Sequence, residues 1–315
     1  MRWLLGPLQS LLGLARRNTV RRSRRQIAAH YDLGNDFYRL FLDETLSYSA
    51  AVFESPDATL HQASLAKLDR VCRKLQLGPD DHLLEIGTGW GGLAVHAAKH
   101  YGCRVTTATI SVEQHAAASE RVRAAGLEDR VTVLLRDYRE LTGTYDKLVS
   151  IEMIEAVGWR DFGTLMAVCS DRLAADGLML LQAITIDERA YEVEKASRSF
   201  INQLIFPGGC LPSQEVIARC VRRRTDLRAI GLEDITEHYV HTLRAWRENF
   251  AAAGAELERL GYDARFQRLW ELYLAYSEGG FAERRICDVQ LLLAKPRFAA
   301  EALVIVEEPL HAVAA

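Results

Sequence analysis

The chain has 315 residues, 49% hydrophobic and 26% charged, with a formal net charge of -3. That is enough to bury the core of one large α/β domain or two small ones, and the near-neutral balance argues against a nucleic-acid partner. Six cysteines are scattered without any CxxC spacing, which speaks against zinc and against a disulfide framework.

In chain order, the first segment is 1–29. Residues 3–14 are apolar but fall short of the roughly 18 needed to span a bilayer, and no small-residue cleavage site follows them. Between Met1 and Tyr31 there are seven arginines and no acid. This predicts an amphipathic helix resting on an anionic membrane surface; a solvated helix packed on the domain is the alternative. The expected location is the cytoplasm, peripheral to the inner membrane.

Residues 60–77 carry helical apolar spacing at Leu60, Ala63, Leu65, Leu68, Val71, Cys72 and Leu75. Strands are predicted at 82–86, 104–110, 131–135, 146–151 and 178–186, with helices at 92–101, 112–125 and 161–175 between them. This alternation means a parallel sheet covered on both faces, with ligands beyond the carboxyl ends of its strands. Then come a polar helical insertion at 188–205, a rigid Pro/Gly loop at 206–213 and a helix from Gln214. A strand near 226–232, helices near 241–258 and 263–284, and a strand at 286–294 complete the pattern. The expected organisation is a domain over 30–297 with a helical lid at about 187–285, then a tail over 298–315.

The first predicted strand ends in Glu85-Ile86-Gly87-Thr88-Gly89-Trp90-Gly91-Gly92. Gly87-x-Gly89-x-x-Gly92 matches a dinucleotide turn, but nicotinamide folds need an acid about 20 residues on. That window reads Val105-Thr106-Thr107-Ala108-Thr109-Ile110, with no acid. Glu85 before the turn suits the amino-acid end of S-adenosylmethionine instead. A second strand runs into Glu152-Met153-Ile154-Glu155-Ala156-Val157-Gly158. Its two carboxylates, three residues apart, put negative charge beside the crevice, where a sulfonium or a carbocation is stabilised. Glu155 is the candidate functional acid. For Glu152 a helix-start charge is the simpler reading.

Together with His30-Tyr31-Asp32-Leu33-Gly34-Asn35, Tyr48-Ser49, Thr109-Ile110-Ser111-x-x-Gln114, Phe206-Pro207-Gly208-Gly209-x-Leu211-Pro212-Ser213 and His238-Tyr239-x-x-Thr242-Leu243, these motifs resemble the cyclopropane fatty acid synthase family, which includes the mycolic acid methyltransferases. The resemblance runs from about His30 to Lys295. It implies a seven-stranded, Rossmann-like class I methyltransferase fold with a helical lid, S-adenosylmethionine as donor and unsaturated acyl chains of membrane phospholipids as acceptors. It also implies that Tyr48 and Ser49 close over the cofactor and that Gly87 and Gly89 lie against its amino-acid part. Thr109, Ile110 and Gln114 would hold the ribose region, and Tyr138, after Asp137, would border the adenine. A bicarbonate base would be held by Glu155, the Ile184 backbone, Tyr239 and two further positions.

At those two positions the chain departs from the family. Ala50 stands where the family has Cys, and Gln182 where it has His. Ala50 offers no side-chain donor, whereas the Gln182 amide still does. This weakens the case for bicarbonate and leaves Glu155, or a water, as the proton acceptor. The expected reaction is methyl transfer to a cis double bond, then proton loss to give a cyclopropane. A methylene- or methyl-branched chain is the alternative product, and a small-molecule N- or C-methyltransferase or a cofactor-sensing membrane module are the alternative functions. Cys210 and the tryptophans at 246 and 270 are expected to be packing residues. Oligomeric state, a homodimer among the options, is not written in the sequence.

Overall fold

The computed structural model describes residues 33–196 and 199–299. The basic segment 1–29, the motif residues His30, Tyr31 and Asp32, and all but the first two residues of the tail 298–315 lie outside the described residues.

Seven strands form one sheet: β1 (His82–Ile86), β2 (Arg104–Thr109), β3 (Val131–Leu135), β4 (Tyr145–Ile151), β5 (Leu173–Ile186), β6 (Arg228–Asp234) and β7 (Ile286–Ala294), in the order β3-β2-β1-β4-β5-β7-β6. The first five run parallel, and β7 is antiparallel to both β5 and β6. The central strands are apolar on both faces because helices cover both. On one face lie α2 (Leu60–Lys74) and α3 (Gly92–Tyr101), and α4 (Val112–Ala124) packs on β2 and β3. On the other lie α5 (Ile154–Val157), α6 (Phe162–Arg172) and α8 (Gln214–Arg224), after the short α7 (Tyr191–Ala196).

An aromatic core lies outside the sheet. It joins α1 (Asn35–Arg39), α9 (Thr236–Ala252), α10 (Gly254–Arg259) and α11 (Ala264–Ala282). Phe37 meets Trp270 edge-on at 4.8 Å, and Trp246 and Trp270 are only 1% and 2% exposed, so both tryptophans are lid core. The helical span 187–285 is not continuous. Val216, Ile217 and Val221 of α8 bury against α6, and β6 joins the sheet edge, so chain of the sheet domain separates two lid pieces.

Two local differences from the sequence pattern have physical causes. The helix expected to reach 175 stops at Arg172, because Leu173 already pairs with Tyr145. Residues 174–177 then bulge before pairing resumes at Leu178, and a Cβ on Gly177 would lie 2.8 Å from Leu173 Cδ2. In α2, capped by the reciprocal Thr59–Gln62 pair, Leu65 is 37% exposed while Lys67 is 2% exposed. The face turned to the protein follows Ala63, Ser64, Lys67, Leu68, Val71 and Cys72, and it carries a lysine where the pattern calls for an apolar side chain.

The strand order reverses between β1 and β4, which opens a crevice at their carboxyl ends. Gly91 enters α3 at φ 81°, and an added Cβ would lie 3.1 Å from Ala118 Cβ. Gly91→Ala is expected to cost about 1–2 kcal/mol in backbone strain alone. Chemical denaturation should show a lower midpoint with an unchanged slope.

Candidate active site

The crevice holds a cavity of about 420 Å³. Its floor is the ends of β1, β2, β4 and β5; residues 45–49 and the lid side chains Tyr239, Tyr273 and Phe281 cover it. The covering strap is pinned by successive amides. Ala50 N–H donates to Glu152 Oε1 (2.9 Å), Ala51 N–H to Thr242 Oγ1 (3.0 Å) and Phe53 N–H to His238 Nδ1 (3.2 Å). His238, Tyr239 and Thr242 lie within about one turn of α9, which accounts for their spacing in the sequence.

One half of the cavity is built from the glycine turn. Gly87 and Gly89 take φ of 105° and 52°; a Cβ on Gly87 would touch Met153 Cγ at 3.3 Å, and one on Gly89 would meet nothing within 4 Å. A ligand can therefore lie directly on the Gly89 backbone. Glu85 is buried and accepts from the Thr107 hydroxyl at 2.5 Å. Burial pushes its carboxyl up to about 8, against the pull of Thr107 and Lys67. The Thr109 hydroxyl donates to Gln114 Oε1 at 2.8 Å, which leaves the amide nitrogen as the donor available to a ligand. Ile110 and Tyr138 line the same space. The Tyr138 hydroxyl is buried with no partner among the described residues. Asp137 is engaged otherwise: Arg139 donates to it from the backbone at 3.0 Å and from its side chain at 2.8 Å. Tyr48 bonds Tyr273 hydroxyl to hydroxyl at 2.8 Å, and Lys67 Nζ donates to Ser49 Oγ at 3.0 Å. An open glycine cradle, buried carboxyls and a second strand without an acid fit S-adenosylmethionine.

The other half is built around Glu152. Its carboxylate accepts from Ala50 N–H (2.9 Å), Gln182 Nε2 (2.8 Å) and the Tyr239 hydroxyl (2.7 Å). The Gln182 amide is oriented by Gln290, which donates to its oxygen at 3.0 Å and turns its nitrogen to Glu152 and to Asp288 (2.9 Å). Glu152 sits at φ 46°, a strained conformation for a residue with a Cβ. Burial raises its carboxyl; Tyr239, Ala50 and Lys67 pull it back. Burial and the Glu152 charge push Asp288 well above the usual carboxylate range. With one donor on Asp288 against three on Glu152, Asp288 is the member that keeps its proton.

The residues expected around Glu155 are thus divided. Tyr239 and Gln182 meet Glu152, while Glu155 accepts the Ile184 N–H, at 2.6 Å, and its other oxygen is buried without a partner among the described residues. Burial, then the Glu152 charge, pushes Glu155 up to about 8. The donors expected for a bicarbonate are taken by the chain's own carboxylates, so these residues do not fit a separate ion. Lys67 and Asp288 are site groups outside the sequence-based set, and Glu152 is one that the sequence names beside the crevice but ranks below Glu155. A lysine on an apolar helix face is the signal for Lys67, and the loss of a side-chain donor at Ala50 is a signal for raising Glu152. Burial pushes the Cys210 thiol up to about 12, in keeping with packing. Among the described residues no group of His, Cys, Asp and Glu could hold a metal ion, and no helix is long and apolar enough to cross a membrane.

The sheet order, the single reversed strand and the crevice define a class I methyltransferase fold with helical additions. The chain belongs to the mycolic acid cyclopropane synthetase family, whose model matches residues 18–291. It is 43% identical over 266 residues to tuberculostearic acid methyltransferase UfaA1 of Mycobacterium tuberculosis, covering 82% of this chain and 62% of that protein. With the cyclopropane-fatty-acyl-phospholipid synthase of Escherichia coli K12 it shares 40% identity over 83% of this chain and 65% of the other. It thus spans less than two thirds of the length of either relative. The solved mycolic acid cyclopropane synthase CmaA1, complexed with SAH and CTAB, superimposes with a TM-score of 0.80 at 30% identity, over 86% of this chain and 98% of that one.

The raised carboxyls set a pH dependence. Folded Glu155 holds its proton to about pH 8, whereas the unfolded group releases it near 4.5. Between these values the folded state binds more protons, so stability falls as pH rises. The thermal midpoint of the ligand-free protein is expected to drop across this window, and Glu155→Gln should flatten the drop.

Proposed function

We propose that this chain transfers a methyl group from S-adenosylmethionine to the cis double bond of an unsaturated acyl chain in a membrane phospholipid, with Glu152 as the base. The observation that carries this reading is the Glu152 carboxylate, held by three donors at the edge of an apolar, aromatic-lined cavity. When bound, the cofactor supplies an electrophilic methyl. Gly87, Gly89, Thr109, Ile110 and Gln114 would position it, with Tyr48 and Ser49 above. The alkene electron pair forms the new carbon–carbon bond, and positive charge is left on the acyl chain. Tyr48, Tyr239, Tyr273 and Phe281 surround that charge with ring faces, which stabilise a cation without attacking it.

Glu152 then accepts a proton. Loss from the added methyl closes a cyclopropane, or leaves a methylene once a 1,2-hydride shift has moved the charge to the methylated carbon; loss from a neighbouring chain carbon leaves a methyl-branched, shifted alkene. Because Glu152 is tied to the backbone, unlike a diffusible ion, one position on the chain lies nearest to it and a single product is expected. The amide of Gln182 and the hydroxyl of Tyr239 hold the carboxylate in place. A phospholipid acceptor puts the chain at a membrane surface, and the basic segment 1–29 supplies charge for anionic head groups.

Lipids of a host expressing the chain should gain a species one methylene heavier than a monounsaturated acyl chain. Catalytic hydrogenation separates the outcomes, since a methylene product takes up hydrogen and a ring under mild conditions does not. Glu152→Gln should lower kcat by about 10²–10⁴-fold while still binding adenosylhomocysteine. An unchanged rate would remove Glu152 from the chemistry.

A further inference from the structure

Nine large apolar side chains are exposed among the described residues, and five of them lie in four segments at the lid end of the cavity. Trp159 is in the turn between α5 and α6, Val193 on α7, Leu204 on the helical turn Ile201–Ile205, and Leu272 and Tyr276 on α11. Single exposed apolar residues need no explanation, but a group of them around an opening does. The cavity reaches solvent there, since Ala156, Tyr276 and Arg285 line it and are exposed. Ring contacts join the segments: Lys195 Nζ on α7 lies 4.8 Å from the Trp159 ring, and Phe200 meets Tyr276 edge-on at 5.2 Å.

The rim so formed is amphipathic. Arg160 lies 4.0 Å from the Trp159 ring, so one exposed indole has two cations against it; Lys195 also pairs with Glu192 at 3.0 Å. On α11, Arg265, Arg268, Leu272 and Tyr276 fall at i, i+3, i+7 and i+11, which is one helix face, and all four are exposed. Apolar tips beside cationic ones, with a tryptophan among them, match the boundary between acyl chains and anionic head groups. A phospholipid acceptor needs such a rim, because its acyl chain alone goes in toward Glu152 and its head group stays outside.

We infer that this rim is a docking face for an anionic phospholipid bilayer. Trp159, Val193, Leu204 and Leu272 enter the head-group boundary, Arg160, Lys195, Arg265 and Arg268 meet head-group phosphates, and the acyl chain passes from the bilayer into the cavity between α7 and α11. The docking face extends the acyl-lipid reading, on which it rests, and it acts in addition to the basic segment 1–29. No bond is made or broken by these residues.

The test is co-sedimentation of the full chain with vesicles of dioleoyl phosphatidylcholine and phosphatidylglycerol in equal parts, with methyl transfer to the vesicle lipid read in the same samples. Leu204→Ser combined with Leu272→Ser should weaken vesicle binding about 10–30-fold while adenosylhomocysteine binding is unchanged. Turnover of that variant should show a raised KM for bulk lipid with kcat unchanged at saturating lipid. Arg160→Gln combined with Arg268→Gln should cost about fivefold per charge on these vesicles and less than about twofold on pure phosphatidylcholine. The arginine pair carries the test if the serine variant loses adenosylhomocysteine binding. Unchanged vesicle affinity in a folded variant would overturn the docking face; if that variant also dissolves a dimer of the unmodified protein, the rim belongs to a second copy instead. Vesicle binding that depends on the rim, without methyl transfer to the lipid, would overturn the substrate reading alone.

Discussion

The fold beyond the sheet is arranged around one charge in a dry place. Glu152 ends a buried strand in a left-handed turn, a conformation that costs about 1–2 kcal/mol for a residue with a Cβ. A hydrogen bond to a charged group returns about 1.5–3 kcal/mol, and Glu152 receives three. The donors outweigh the strain, but only if they arrive from three distant segments at once. Ala50 comes from the strap, Gln182 from β5 and Tyr239 from α9. The carboxylate therefore acts as a fastener: strap and lid meet the sheet domain where its hydrogen bonds are made.

That constraint explains features that look unrelated in the chain. The His238, Tyr239 and Thr242 side chains hold the strap amides and the carboxylate together, so one turn of α9 serves both closure and charge stabilisation. Stacking of Tyr239 on Phe281 at 4.3 Å ties α9 to α11 directly over the cavity. Behind Gln182 a polar chain runs through Gln290 to Lys74 on α2, which donates to the Gln290 oxygen at 2.7 Å. The amide of Gln182 has a fixed sense because each successive group can only donate in that direction.

Much of the architecture was legible because hydrophobic periodicity reports burial. The strands and the crevice at the glycine turn follow from it, and the structure places β1, β3 and β7 where the pattern does. What it missed is informative. Lys67 was hidden because a periodicity argument treats a lysine as surface, so the apolar face of α2 was rotated toward Leu65. Glu152 was ranked below Glu155 because its importance depends on a backbone turn and on partners 102, 30 and 87 residues away. Yet the clue was present in Ala50. Removing a side chain from the strap leaves its backbone N–H as the donor, and the acid at the end of β4 accepts it. Asp288 carried no local signal; only the pairing of β7 with β5 brings it beside Gln182.

The remaining question is why so many acids are tolerated in one crevice. Glu85, Glu155 and Asp288 are all pushed up by burial, and Lys67 is the one lysine lining their cavity. In the ligand-free protein the unfavourable charge is relieved by protonation, not by pairing. A ligand with a net positive charge changes that balance, because it stabilises the ionised carboxyls that water cannot reach. A neutral or anionic ligand gains nothing from them. The site is thus selective by its own discomfort: these three acids are held near neutrality until a cation arrives. On the proposed function, a sulfonium donor and then a cationic acyl chain in the same space would draw on the same stored preference twice.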